Sequence, residues 1–155
     1  MNKEHHYALS IEWTGNLGTG TSDYRAYTRN HTISSDGKPD LLASSDPSFR
    51  GDKTRYNPEE MLVAALSSCH MLSYLHVCVL NGVVVLEYKD NATGTMKENP
   101  DGSGQFTEVT LHPMVKVKDS SMIEKANQLH KRASELCFIA RSVNFPVHHS
   151  PTTVN

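Results

Sequence analysis

The longest apolar run in the chain lies between Met61 and Val85, and it limits what the chain can fold into. It is introduced by Asn57-Pro58-Glu59-Glu60. Asn57 can cap a helix, Pro58 suits the first helical position, and Glu60 stands where a capping box places an acid. Glu59 and Glu60 also sit at the positive end of the helix dipole. Asn81-Gly82 reads as a stop. The pattern predicts a helix from Asn57 to about Leu80. Ser67, Ser68, His70, Ser73, His76 and Asn81 interrupt the run, so it reads as a buried core helix and not a membrane span. One stripe carries Leu62, Ala65, Leu66, Cys69 and Leu72; the opposite side carries Met61, Ala64, Met71, Leu75 and Cys78. A helix apolar all round needs cover on every side, and one small sheet covers only one. A homodimer is therefore expected.

The other segments point to an α+β fold in a single domain, residues 1–155, which suits the chain's length. Residues 7–13 and 24–33 alternate as strands and are expected to form a hairpin. Residues 34–56 read as an irregular connection, with a short strand near Leu41-Leu42. Strands are expected at Val83–Tyr88, Ala92–Lys97 and Phe106–Val117. The turn 99–104, Asn-Pro-Asp-Gly-Ser-Gly, makes a hairpin of the last two. A second helix is expected from about Ser121 to Leu136, with Ile123, Ala126, Leu129, Ala133 and Leu136 as its apolar face. Residues 138–143 suit a short helix, and 144–155 carry no clear pattern.

Fifteen basic and seventeen acidic side chains leave a net charge of −2. That balance gives no reason to expect nucleic acid or an anionic membrane as partner. The amino terminus lacks the apolar stretch of a signal peptide, so a cytoplasmic location is expected. Nine histidines are present, but no C-x-x-C or H-E-x-x-H spacing accompanies them. Neither a metal nor an organic cofactor is expected.

The three cysteines are the chemical candidates. An odd count in a reducing compartment argues against a disulfide framework. Cys78 stands nine residues after Cys69 on the same helix, about 13 Å along its axis. A disulfide needs Cα atoms within roughly 7 Å, so these two cannot pair. Cys78 reads as core packing. Cys137, at the end of the second helix, is the intrachain partner left for Cys69. For both, the competing reading is an inert buried thiol, since a reactive one needs a positive neighbour. Nothing within the first helix supplies one. Glu59 has a ready role in capping the helix start. Its functional reading is to hold an arginine beside a thiolate. About 15 Å separates it from Cys69 along a straight helix, so a glutamate from a second, antiparallel copy would serve better.

The stretch Asn57-Pro58-Glu59-Glu60-Met61-Leu62-Val63-Ala64-Ala65-Leu66-Ser67-Ser68-Cys69-His70-Met71 resembles the N-P-E-E/Q-L-x-x-A-x-x-x-C signature of the OsmC/Ohr family. Cys137 in Ala133-Ser134-Glu135-Leu136-Cys137-Phe138 matches the family's second cysteine. The order of elements from Tyr7 to Pro146 matches as well. The resemblance implies antiparallel sheets wrapped around long central helices of an intertwined homodimer. It implies a thiol peroxidase that reduces organic hydroperoxides or hydrogen peroxide. Cys69 would be the attacking thiolate and Cys137 its disulfide partner, with an external dithiol as reductant. It also implies an arginine paired with Glu59. Arg29 is the chosen candidate, with Arg25, Arg50 and Arg55 as alternatives. The tail after Cys137 departs from the family pattern, and the chain looks like an OsmC-like branch. The other reading is a redox sensor or small-ligand-binding protein on the same fold, without turnover.

Overall fold

The computed structural model describes residues 3–155. The chain divides into two compact units, Met1–Met61 and Leu62–Asn155.

The first unit holds an antiparallel sheet of three short strands in the order β1-β2-β3: β1 (Ser10–Trp13), β2 (His31–Ser34) and β3 (Leu41–Ala43). The expected opening hairpin is present, with Trp13 opposite His31. Its second strand is much shorter than the alternation at 24–33 suggested. Arg29 explains part of this. Its guanidinium donates to the carbonyl oxygens of Tyr27 (2.8 Å) and Tyr24 (3.0 Å), folding that stretch on itself. Only a single bridge, Asn16 with Tyr27, survives there.

The long helix α1 runs over Pro58–Leu80, as the sequence predicts. Its start is a reciprocal capping box. The Glu60 amide donates to Asn57 Oδ1 at 2.8 Å, and the Asn57 amide donates to Glu60 Oε2 at 3.2 Å. Its stop is Gly82 at φ +69°, a left-handed conformation that favours glycine.

In the second unit α1 is followed by β4 (Val85–Asp90), β5 (Thr93–Glu98), β6 (Gly104–Leu111), β7 (Pro113–Val117), α2 (Ile123–Leu136), β8 (Val147–His149) and β9 (Thr152–Val154). Two three-stranded sheets result, ordered β4-β7-β9 and β5-β6-β8. The single strand expected over 106–117 is two strands. They break at His112, whose amide donates to Asp90 Oδ1 at 2.7 Å instead of to a neighbouring strand. Pro113 follows and has no amide to offer a ladder. The tail over 144–155 contributes strands after all. β8 runs parallel to β6 and β9 parallel to β7.

Tyr74, Val77 and Cys78 of α1 pack with Val115 and Val117 of β7 and with Ala126, Leu129 and Ala133 of α2. Leu66 packs with Val109 and Leu111 in a second cluster. The buried residues of α1 are Leu66, His70, Tyr74, Val77 and Cys78, a stripe that carries one polar member, His70. Leu72, Val79 and Leu80 stay 61%, 77% and 70% exposed, so one face of this apolar helix has no cover among the described residues.

Candidate functional site

Cys69 sits on α1 in the second unit and is half-buried; Cys137 closes α2 and is 1% exposed. Both thiols are free, as is Cys78. The Cys69 and Cys137 thiols are neighbours, near enough that each acts on the other's ionisation. Thus the structure brings together the two cysteines that the sequence could only nominate. Burial, reinforced by the neighbouring Cys69, pushes the Cys137 thiol up to about 11. Two backbone amides beyond the helix end, those of Ile139 and Ala140, work weakly against that rise. Cys78 is core packing, 1% exposed with its thiol pushed up by burial.

Cys69 opens onto a cleft of about 840 Å³ whose walls include Ala65, Leu72, Leu136, Phe138 and Ile139. His76, Glu135 and Arg141 supply its polar edge. Glu135 already pairs with Arg132 at 2.9 Å. Arg141 was not among the arginines picked out from sequence, because no motif marks it. Its position, four residues past Cys137, was the available signal.

The remaining candidates lie in the first unit. Glu59 has one carboxylate oxygen, Oε2, buried without a hydrogen-bond partner. Arg29 lies against the rings of Tyr24 and Tyr27, 4.5 and 4.1 Å from their centroids. It shares a cleft of about 410 Å³ with Asn30, Arg50 and Asp52. Arg55 pairs with Asp52 at 3.7 Å, and Arg25 is exposed. Among the described residues, no ion pair joins Glu59 to any of these four arginines.

Sequence reading also passed over a buried group on the core side of α1. His70, His130 and Tyr74 stack together, with His149 against His70. Helical arithmetic held the clue, since His130 falls on the same apolar face as Ala126, Leu129 and Ala133. Among the described residues, no cluster of three or more His, Cys, Asp and Glu side chains is arranged to hold a metal ion.

The profile of a family described as OsmC-like protein matches residues 51–151. The chain belongs to that OsmC-like family. An OsmC-like protein of unknown function from Vibrio cholerae is 32% identical, with 96% of this chain and 100% of that one covered at a TM-score of 0.86. An organic hydroperoxide resistance protein from Elizabethkingia anophelis is 20% identical, with 99% of each chain covered and a TM-score of 0.68. An OsmC organic hydroperoxide resistance protein from Legionella pneumophila is 16% identical, with 98% and 100% covered and a TM-score of 0.68. At those last two identities the likeness is one of fold. Comparison with curated protein sequences gives no match. The OsmC-like fold, a mixed α+β architecture, is thus common to all of them.

Proposed function

We propose that this OsmC-like protein is a thiol-dependent peroxidase for hydroperoxides, with Cys69 as the attacking sulfur. The single observation that carries the reading is the meeting of the Cys69 and Cys137 thiols beside an apolar cleft. Members of the fold described as organic hydroperoxide resistance proteins support the substrate class.

The Cys69 thiolate attacks the terminal peroxide oxygen and the O–O bond breaks. The leaving alkoxide takes a proton and departs as an alcohol, and Cys69 becomes a sulfenic acid. The Cys137 thiol then attacks that sulfur. Water leaves and a Cys69–Cys137 disulfide remains. An external dithiol returns both sulfurs to thiols by exchange, taking up the oxidising equivalents as its own disulfide. Cleft walls of Leu72, Leu136 and Phe138 favour an apolar peroxide. A cation is needed beside the thiolate, and an arginine, Arg29 by choice, held by Glu59 of a second copy is the proposed source. The orphaned buried oxygen of Glu59 supports a cationic partner there.

The proposed unit is a homodimer. In the second unit Leu72, Val79, Leu80 and Phe138 (80% exposed) leave apolar surface bare. In the first, Leu9, Ile11 and Leu42 do the same. Burying such surface against a second copy is favoured by the hydrophobic effect.

Consumption of cumene hydroperoxide with dithiothreitol as reductant tests the reading. Cys69→Ser should abolish turnover. Cys137→Ser should leave a sulfenate that dimedone traps. Wild-type turnover by Cys69→Ser would overturn the mechanism. A single stoichiometric oxidation of Cys69 with no turnover would instead favour a sensor.

A further inference from the structure

On the core side of the site stand three histidines from three elements: His70 on α1, His130 on α2 and His149 on β8. His70 Nε2 lies 3.0 Å from His130 Nδ1. The two residues are 1% and 3% exposed. The Tyr74 ring stacks on His130 at 3.9 Å between centroids, and its hydroxyl donates to the Ala126 carbonyl at 3.1 Å. The other ring nitrogens, His70 Nδ1 and His130 Nε2, are buried without partners, as is His149 Nε2. A buried polar group with half its valence unmet is costly, and apolar side chains would fill the same space without that cost.

The contacts line up along two helices. Cys69 meets Cys137, His70 meets His130, Tyr74 meets Ala126, and Lys125 Nζ donates to the Asn81 carbonyl at 2.7 Å. Residue numbers rise on α1 as they fall on α2, so the helices run antiparallel. His130 precedes Cys137 by seven residues, about two turns, so both lie on one face of α2. A slip of one turn, about 5.4 Å, would part the thiols. The packing of Val77 and Cys78 against Ala126, Leu129 and Ala133 and the Tyr74 hydrogen bond hold the far end of the pair of helices. At the end that carries the cysteines, the hydrogen bond between the two buried rings is the directional contact, one residue along α1 from Cys69.

We propose that the His70–His130 pair sets the register of α1 on α2 that holds Cys69 against Cys137, and that acid releases it. Both histidines are positioning residues. The inference rests on the Cys69–Cys137 pairing in the peroxidase reading and adds a regulated geometry to it.

The acid response follows from what faces the pair. From α1 come Tyr74 and, beside it, the Cys78 thiol. From β8 comes His149 against His70, and behind these stand Tyr88 against Tyr74, with Asp90 of β4 and His148 of β8 acting on His149. Asp90 is the lone carboxylate in that set, and Ser67 and the His112 amide occupy its oxygens at 2.5 and 2.7 Å. A proton arriving on His70 or His130 therefore meets burial and other imidazoles. Burial holds His70 down to about 3 and His130 down to about 4, with His149 adding to both. The closed pair stays neutral. An opened pair has ordinary imidazoles near 6.5 and takes up protons, so each gains about tenfold for opening per pH unit below that.

Equilibrium in a glutathione buffer tests this without peroxide. Oxidised glutathione forms a mixed disulfide on one cysteine and releases one reduced glutathione. The second cysteine then displaces the other glutathione and closes the disulfide, so two electrons and two protons pass to glutathione. The balance point gives the effective concentration of Cys69 toward Cys137. His70→Leu should lower it at least tenfold at pH 7.5. His70→Gln, whose terminal amide reaches the place of the ring Nε2, should restore it to within about threefold of wild type. Between pH 7.5 and 5.5 the wild-type value should fall, and the fall should be about tenfold smaller in His70→Gln. An unchanged value in His70→Leu, or equal acid response in His70→Gln and wild type, overturns the proposal. Should His70→Leu fail to fold, the pH comparison with His70→Gln decides alone. Absence of any disulfide in the wild type overturns both this inference and the two-thiol reading. A disulfide that obeys the histidines in a protein without peroxide turnover overturns the peroxidase reading alone.

Discussion

Ser67 donates its hydroxyl to Asp90 Oδ2 at 2.5 Å, linking α1 to the end of β4 two residues before the reactive-thiol candidate. The other Asp90 oxygen takes the His112 amide at 2.7 Å, at the break between β6 and β7. One carboxylate thus satisfies two donors that no ladder serves. Asp90→Ala leaves a backbone amide and a hydroxyl unpaired in a half-buried place. The expected loss is about 2–3 kcal/mol, and Ser67→Ala should lose about 1 kcal/mol. Urea denaturation of the three proteins checks this, and equal stability of Asp90→Ala and wild type would refute it.

Stability should fall in acid because of the buried histidines. In the folded chain His70 and His130 are held down to about 3 and about 4; unfolded, both return to about 6.5. The unfolded chain therefore binds protons that the folded chain refuses. The full contribution is present above pH 6.5 and is lost as pH drops toward the folded values. Each histidine should remove about 1–2 kcal/mol between pH 6.5 and 5. Guanidinium melts at pH 7.5 and 5.0 measure the difference, and His130→Asn should flatten it. A pH-independent midpoint across this window would sink the expectation.

Alkylation should separate the three cysteines. Cys69 is half-buried on the cleft wall, whereas Cys78 and Cys137 are each 1% exposed. At pH 8 a thiol at about 11 is ionised to roughly one part in a thousand, which suppresses Cys137 further. Iodoacetamide in limiting amount should label Cys69 first, by at least about tenfold over either of the others. Peptide mass spectrometry reads the order. Prior labelling of Cys137 would contradict the geometry.

Legibility in the sequence followed the range of the forces. Asn57, Pro58, Glu60 and Gly82 act within one helical turn, and α1 ends where they say. The turn at 99–104 is equally local, and β5 pairs with β6 through it. By contrast, the break at His112 depends on a carboxylate 22 residues away. β8 and β9 are three-residue strands paired, among the described residues, with distant parallel neighbours, so they carry no periodicity of their own. Arg29 could be nominated from sequence, but nothing there revealed that Tyr24 and Tyr27 would claim its donors.

By itself the amino-acid order determined the long helix, its ends, the strand-rich remainder and a short slate of thiols, because propensity, capping and period act between near neighbours. Only tertiary structure decided which thiols meet and that His70 finds His130 across 60 residues. Those contacts arise from how two helices pack, and side-chain chemistry at either position alone carries no record of the other.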